Sequence, residues 1–230
     1  FLRETTHMTK SELSDAERAE LQSDAISICQ TLIRIPSVNY GDGKGDEAAV
    51  AAKVVELLLE AGIDSEIFES APGRCNVIAH IKGVDEKRPG LVVHGHLDVV
   101  PANADDWSVD PFSAEIKDGM IWGRGAVDMK NMDAMIIAIF RMWARKGIKP
   151  PRNIVLAFFA DEEAGSLFGS RWMVAKHPEV FKGCSEAISE VGGFSVTVAG
   201  DKRLYFIEAA QKGIHWMRLS ASGKKRTAPR

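Results

Sequence analysis

Cysteine is scarce in this sequence of 230 residues, and so is any excess of charge of one sign. The three cysteines, Cys29, Cys75 and Cys184, are odd in number, far apart and set among apolar neighbours. That pattern excludes a disulfide framework or a zinc knuckle, and the thiols read as reduced core residues of a cytoplasmic protein. Lysine and arginine number 29 against 32 acidic residues, a formal charge of −3, which leaves no electrostatic footprint for a nucleic-acid partner. The one basic cluster, Lys224, Lys225 and Arg226, is short and reads as a solvated tail. No apolar run reaches the ~18 residues that a membrane helix needs, and "FLRETTHMTK" lacks the apolar core of a signal peptide, so no membrane partner is expected. Internal repeats and low-complexity linkers are missing as well.

What remains is an ordinary globular balance, 45% hydrophobic and 27% charged, enough for one sizeable core or one and a half domains. Residues 14–34 have helical spacing, with Leu21, Ala25, Ile28 and Leu32 on one side, Ser14 as N-cap and Glu17 completing a capping box. Pro36 stops that helix. The glycines of "YGDGKGDE" invite a phosphate-loop reading, but no Gly-Lys-Ser/Thr follows, and the stretch reads as a flexible entry to the next helix. That helix runs over 48–61 and ends on Gly62. Short β-rich runs come next, "SEIFES", "NVIAHI" and "GLVVH", then a helix over 131–146 closed by Gly147. "NIVLAFFA" at 153–160 is the continuous apolar strand of a sheet buried on both faces. A helix over 166–176 and the strand "EAISEV" follow. Strands alternating with such helices predict an α/β fold, a three-layer α/β/α sandwich around a mainly parallel sheet.

In open α/β sheets ligands bind beyond the carboxyl ends of the strands. Four expected strand ends here carry ionisable groups. "LVVHGHLD" ends on His96 and Asp98, "IWGRGAVDMK" delivers Asp128 just before a helix, "VLAFFADEEAG" ends on Asp161, Glu162 and Glu163, and "EAISEVGG" ends on Glu190. Each piece has a plainer reading: His96 as a structural histidine, Glu162 and Glu163 as a solvated helix start, "GRGAVD" as a tight turn lacking the third glycine of a dinucleotide fingerprint. Together they point elsewhere. So many anions in one place repel one another unless a cation neutralises them, and histidine with carboxylates suits zinc or a similar divalent ion. Two metals sharing a carboxylate would sit roughly 3.5–4 Å apart.

In order along the chain come His96-Leu97-Asp98-Val99-Val100-Pro101, then Trp107, Asp110, Pro111 and Phe112, then Gly119, Gly123, Arg124, Gly125, Asp128 and Lys130, then Asp161-Glu162-Glu163. This series resembles the di-zinc peptidases and deacylases that include acetylornithine deacetylase, aminoacylase, succinyl-diaminopimelate desuccinylase, carnosinase and carboxypeptidase S, with the carboxypeptidase S or dipeptidase branch most similar. The resemblance runs from about Ala25 to about Gly223. It implies a zinc-dependent metallopeptidase or amidohydrolase acting on dipeptides, peptide C-termini or N-acyl amino acids. It assigns His96 to one zinc, Asp128 to both, Glu163 to the second and Glu190 to the first, with cobalt or manganese as alternative metals. Asp98 would accept the other ring N–H of His96. Glu162 would be the general base acting on a zinc-bridging water. The resemblance also implies a cis peptide between Asp128 and Met129. Asn131 stands where these enzymes usually have glycine, and His94 falls at a position they do not use, so it is read as structural.

The family also uses a second zinc-binding histidine late in its sequence and a further histidine from an inserted lid, neither of which has a match here. His215 reads as an exposed sheet residue of the first lid strand, in the stretch 209–220. The expected division is therefore a disordered or extraneous tail at 1–13, the N-terminal part of a catalytic domain at 14–210, and the start of a lid or dimerisation domain at 211–230. Homodimers are expected only with a complete lid. The alternatives are an incompetent fragment that acts, if at all, as a binding module, and a nucleotide binder resting on "GRGAVD" alone.

Overall fold

The computed structural model describes residues 13–190, 195–206, 217 and 219–223. Contacts divide the chain into two compact units, Phe1–Glu190 and Val191–Arg230. The boundary expected at 210/211 falls among residues 207–216, which lie outside those described.

In the first unit, helix α1 (Asp15–Ile33) starts on a complete capping box: the Ser14 side chain accepts the Glu17 backbone N–H, and the Glu17 carboxylate accepts the Ser14 N–H at 2.7 Å. Helix α2 (Ala48–Leu59) leads to a hairpin of strands β1 (Glu66–Ala71) and β2 (Arg74–Ile81). Strand β3 (Gly90–His96) carries the first motif, and a small hairpin of β4 (Glu115–Lys117) and β5 (Met120–Trp122) turns through Asp118 and Gly119, both at positive φ. Helix α3 (Lys130–Lys146) ends on Gly147 in the left-handed region, as its C-terminal glycine predicts. Strand β6 (Ile154–Phe159), helix α4 (Ser170–Lys176) and strand β7 (Cys184–Ile188) complete the unit. The sequence predicts a helix from 166, but 166–169 are a turn, because Ser166 holds a positive φ and its N–H bonds back to the Asp161 carbonyl.

The central sheet runs β1-β2-β6-β3-β7. Its β3–β6 and β3–β7 pairings are parallel, whereas β1–β2 and β2–β6 are antiparallel. The expected mainly parallel sheet is thus only half parallel. Pro72 and Gly73 alone separate the paired residues Ala71 and Arg74, and so tight a link permits only an antiparallel return.

All six residues of β6 are buried, so the strand is covered on both faces. Leu156 and Phe158 join Val77 and Ala79 of β2 beneath α1, α2 and α3, packing with Leu32, Val54, Leu58 and Ile137. The alternate residues Val155, Ala157 and Phe159 pack with Ile78, Met173 of α4 and Val180 on the other side. Helices on both faces make the three layers expected. No helix among the described residues is long and apolar enough to cross a membrane.

In the second unit, strands β8 (Ser195–Ala199) and β9 (Lys202–Tyr205) form an antiparallel hairpin that the sequence reading does not anticipate. The strand expected at 209–220 falls mostly outside the described residues, as does His215.

Candidate metal centre

Parallel pairing of β3 with β6 brings the carboxyl ends of both strands to one edge, with His96 opposite Phe159. The turn after β6 then presents Glu162 and Glu163. Strand β7, parallel to β3 on its other side, ends two residues before Glu190. Asp128 arrives from the start of α3, and its peptide to Met129 is cis, as the resemblance implied. Three separate elements thus deliver acids around the imidazole that β3 supplies.

His96 is 2% exposed, and its Nε2 lies 3.1 Å from Asp128 Oδ1, 3.4 Å from Glu190 Oε2 and 3.8 Å from Glu162 Oε2. Ligand atoms of His96, Asp128 and Glu190 all lie within 4.8 Å of one another. Glu163 does not join this trio. Its backbone N–H donates to Asp98 Oδ2 at 3.2 Å, and its carboxyl is pushed up to about 7, by burial first and then by the charge of Asp128. Burial disfavours the charged form of His96, but hydrogen bonds with Asp128, Asp98 and Glu190 outweigh it and raise the ring far above its ordinary range. Glu162 is raised by burial and by the carboxylates of Glu190, Asp98 and Asp128, against the pull of His96.

These acids fit a divalent cation. One imidazole nitrogen can share a proton with only one of the three carboxylates at a time, and the others repel one another unless a cation lies among them. A nitrogen with carboxylate oxygens is a donor set suited to zinc or a similar ion. The side chains of Asp128 and Glu190 keep 53% and 29% of their surface open to admit one.

Asp98 offers two acceptors to the other ring nitrogen of His96. The nearest acceptor to His96 Nδ1 is the backbone carbonyl of Asp98 at 3.0 Å, with carboxylate Oδ1 at 3.4 Å. The fully buried carboxylate also accepts the N–H of Glu162 at 3.0 Å, that of Glu163 at 3.2 Å and the side-chain amide of Asn39 at 2.8 Å. His94 lies outside the trio and packs its ring 5.5 Å from that of Phe159, consistent with a structural residue.

Several polar residues around the centre escaped the sequence reading. Arg74, 1% exposed, grips Glu47 through two bonds of 2.8 Å, reaches Asp161 Oδ1 at 3.0 Å and lies over the Phe168 ring. Lys130, the lysine that follows Asp128 by two positions, is buried and donates to the carbonyls of Leu32 at 2.9 Å and Ile35 at 2.8 Å. It thereby caps α1 and pins the start of α3, beside Asp128, to the end of that helix. Asp133 is fully buried, with neither carboxylate oxygen hydrogen-bonded among the described residues. The acidic partners of Arg74 and Asn39 lie 27 to 122 residues away, so no local pattern announces them.

Comparison with known proteins agrees with this geometry. The sequence profile of peptidase family M20/M25/M40 matches residues 92–215, more than half of the chain. A succinyl-diaminopimelate desuccinylase of Parvibaculum lavamentivorans is 37% identical over 155 residues, which cover 66% of this chain and 38% of that protein. An uncharacterized metallohydrolase of Methanocaldococcus jannaschii is 30% identical over 220 residues, 90% of this chain and 51% of its own length. This chain therefore spans between about a third and a half of these relatives. Among solved structures, the M20 family metallo-carboxypeptidase Sso-CP2 from Sulfolobus solfataricus superposes with a TM-score of 0.64 at 25% identity, over 74% of this chain and 38% of that one. Human carnosine dipeptidase 1 shares the fold, with a TM-score of 0.62 at 21% identity over 74% of this chain and 39% of that one. By the reach of that profile and the identity of these relatives, the chain belongs to peptidase family M20/M25/M40.

Proposed function

We propose that the protein is a metal-dependent hydrolase that cleaves an amide bond in a dipeptide, a peptide C-terminus or an N-acyl amino acid. The convergence of His96, Asp128 and Glu190, with Glu162 beside them, carries this reading. The similar proteins are named as a desuccinylase, a carboxypeptidase and a dipeptidase, all of which cut between an acyl group and nitrogen. In this reading His96, Asp128, Glu163 and Glu190 would hold two divalent ions, zinc with cobalt or manganese as alternatives, with Asp128 contributing to both. When bound, the metal supplies Lewis acidity that polarises the scissile carbonyl and acidifies water.

The chain's own residues do the rest. The Glu162 carboxylate accepts a proton from the attacking water and returns it to the departing amine as the C–N bond breaks. Two neighbouring glutamates then divide the work: Glu163 stays ionised for the metal, and Glu162 stays off it. The Asp98 carboxylate, accepting both of their backbone N–H groups, fixes the turn that presents them.

The test is Glu162→Gln, assayed on a panel of dipeptides and N-acyl amino acids with metal content measured in parallel. A loss of about 100-fold or more in kcat with metal retained is expected. Undiminished turnover would remove Glu162 from the chemistry. Metal binding without turnover by the unmodified protein would favour a binding module.

A further inference from the structure

Asn39 is 4% exposed and lies between two buried carboxylates that flank the glutamate turn. One hydrogen of its amide goes to Asp98 Oδ2 at 2.8 Å and the other to Asp161 Oδ1 at 3.0 Å. Its own oxygen accepts the Gly41 N–H at 3.0 Å, which settles that the nitrogen faces the acids. Beyond Asn39, Asp98 accepts the N–H groups of Glu162 and Glu163. Asp161, at φ 62, is held by Arg74 at 3.0 Å and by the Phe168 N–H at 3.1 Å. The amide thus ties the acid at the end of the β3 motif to the acid that opens the glutamate turn.

The segment bearing Asn39 is itself clipped to the β3 motif. Ser37 Oγ donates to the Leu97 carbonyl at 2.6 Å, the Val99 N–H to the Ser37 carbonyl at 3.0 Å, and the Asn39 N–H to the Val99 carbonyl at 2.9 Å. Two buried carboxylates facing one another need donors between them. A neutral amide provides both without adding a charge next to a metal site. Arg74 neutralises only Asp161, because its other acid is Glu47.

We propose that Asn39 is a positioning residue: by clamping Asp98 to Asp161 it fixes the turn that aims Glu162 at the reacting groups. This rests on the reading of Glu162 as the proton carrier. Catalytic geometry is intolerant of displacement, and a shift of about 1 Å can cost on the order of 100-fold in rate.

The experiment is a double-mutant cycle of Asn39→Ala with Glu162→Gln, measured as kcat and KM on the best substrate of the panel. Asn39→Ala alone is expected to lower kcat roughly 10- to 100-fold with KM within about 3-fold. In the Glu162→Gln background the same substitution should change kcat less than about 3-fold, because Asn39 acts through the group already removed. A residue that only stabilises the fold would give the same factor in both backgrounds, and that additivity overturns the proposal. Unchanged turnover of Asn39→Ala overturns it too, provided that Glu162→Gln is impaired; if Glu162→Gln turns over normally, the functional reading fails instead. Should Asn39→Ala not fold, Asn39→Ser keeps one donor and should give an intermediate loss under the same cycle. Crystal structures of unmodified and variant protein supply a readout independent of turnover: the Glu162–Glu163 turn should move by about 1 Å relative to His96, and an unmoved turn contradicts the proposal.

Discussion

Asp133 offers a test of the packing beneath the metal centre that needs no substrate. The side chain is fully buried, and neither carboxylate oxygen has a hydrogen-bond partner among the described residues. Burial, opposed by the charges of His96 and Lys130, carries its pKa from 3.8 up to about 8. The folded protein therefore keeps a proton on Asp133 over a range in which the unfolded chain, with an aspartate near ~3.9, has released it. In that window the native state binds more protons than the unfolded one, so stability falls as pH rises, and the fall ends above about pH 8. At about 1.36 kcal/mol for each tenfold change in proton affinity, the whole effect is on the order of 5 kcal/mol. Asp133→Asn preserves the shape and removes the titration. Urea denaturation of the metal-free protein and of this variant, from about pH 5 to 8, isolates the effect from every other titrating group. The stability of the unmodified protein minus that of the variant should drop by about 3–4 kcal/mol across the range. Parallel pH profiles for the two proteins would refute the assignment.

Arg74→Met should cost about 3–5 kcal/mol in the same denaturation assay, because Glu47 and Asp161 would lose their cationic partner inside the protein; a cost under about 1 kcal/mol would mean that the pair is solvated. A methyl group at Gly95 would lie 2.1 Å from Asp133 Oδ1 and 2.9 Å from Met129 Cε. Gly95→Ala is therefore expected to destabilise by at least about 1–3 kcal/mol, with partial recovery in the Gly95→Ala/Asp133→Ala double variant. Equal stability of the single and double variants would show that the clash lies elsewhere.

The parts of this fold that local chemistry dictates were legible in the sequence. The Ser14–Glu17 capping box sets the start of α1, Gly147 ends α3, and the unbroken apolar run of β6 announces a strand covered on both faces. Strand direction was less legible, because an apolar run carries no sign of whether its neighbour runs with it or against it, and β2 beside β6 runs against it. The hairpins β4–β5 and β8–β9 have strands of only three to five residues, too short for alternation to stand out.

At the site, His96, Asp128 and Glu190 were visible because each sits where a strand or loop hands over to the next element. The shell behind them was not. Asn39, Glu47 and Arg74 sit in a loop, at a helix start and at a strand start with no shared spacing, and only the folded chain brings them to Asp98 and Asp161. For the same reason the Asp98 carboxylate, expected to serve mainly His96, turns out to hold the glutamate turn as well.

The most direct test of the metal centre is the zinc content of the purified protein after dialysis against a weak chelator, set beside that of a His96→Ala/Glu190→Gln double variant. The account predicts about two zinc ions per chain in the unmodified protein and a clear loss in the variant, with the variant still folded by circular dichroism. A zinc content near zero in the unmodified protein, or equal content in the two, would contradict it.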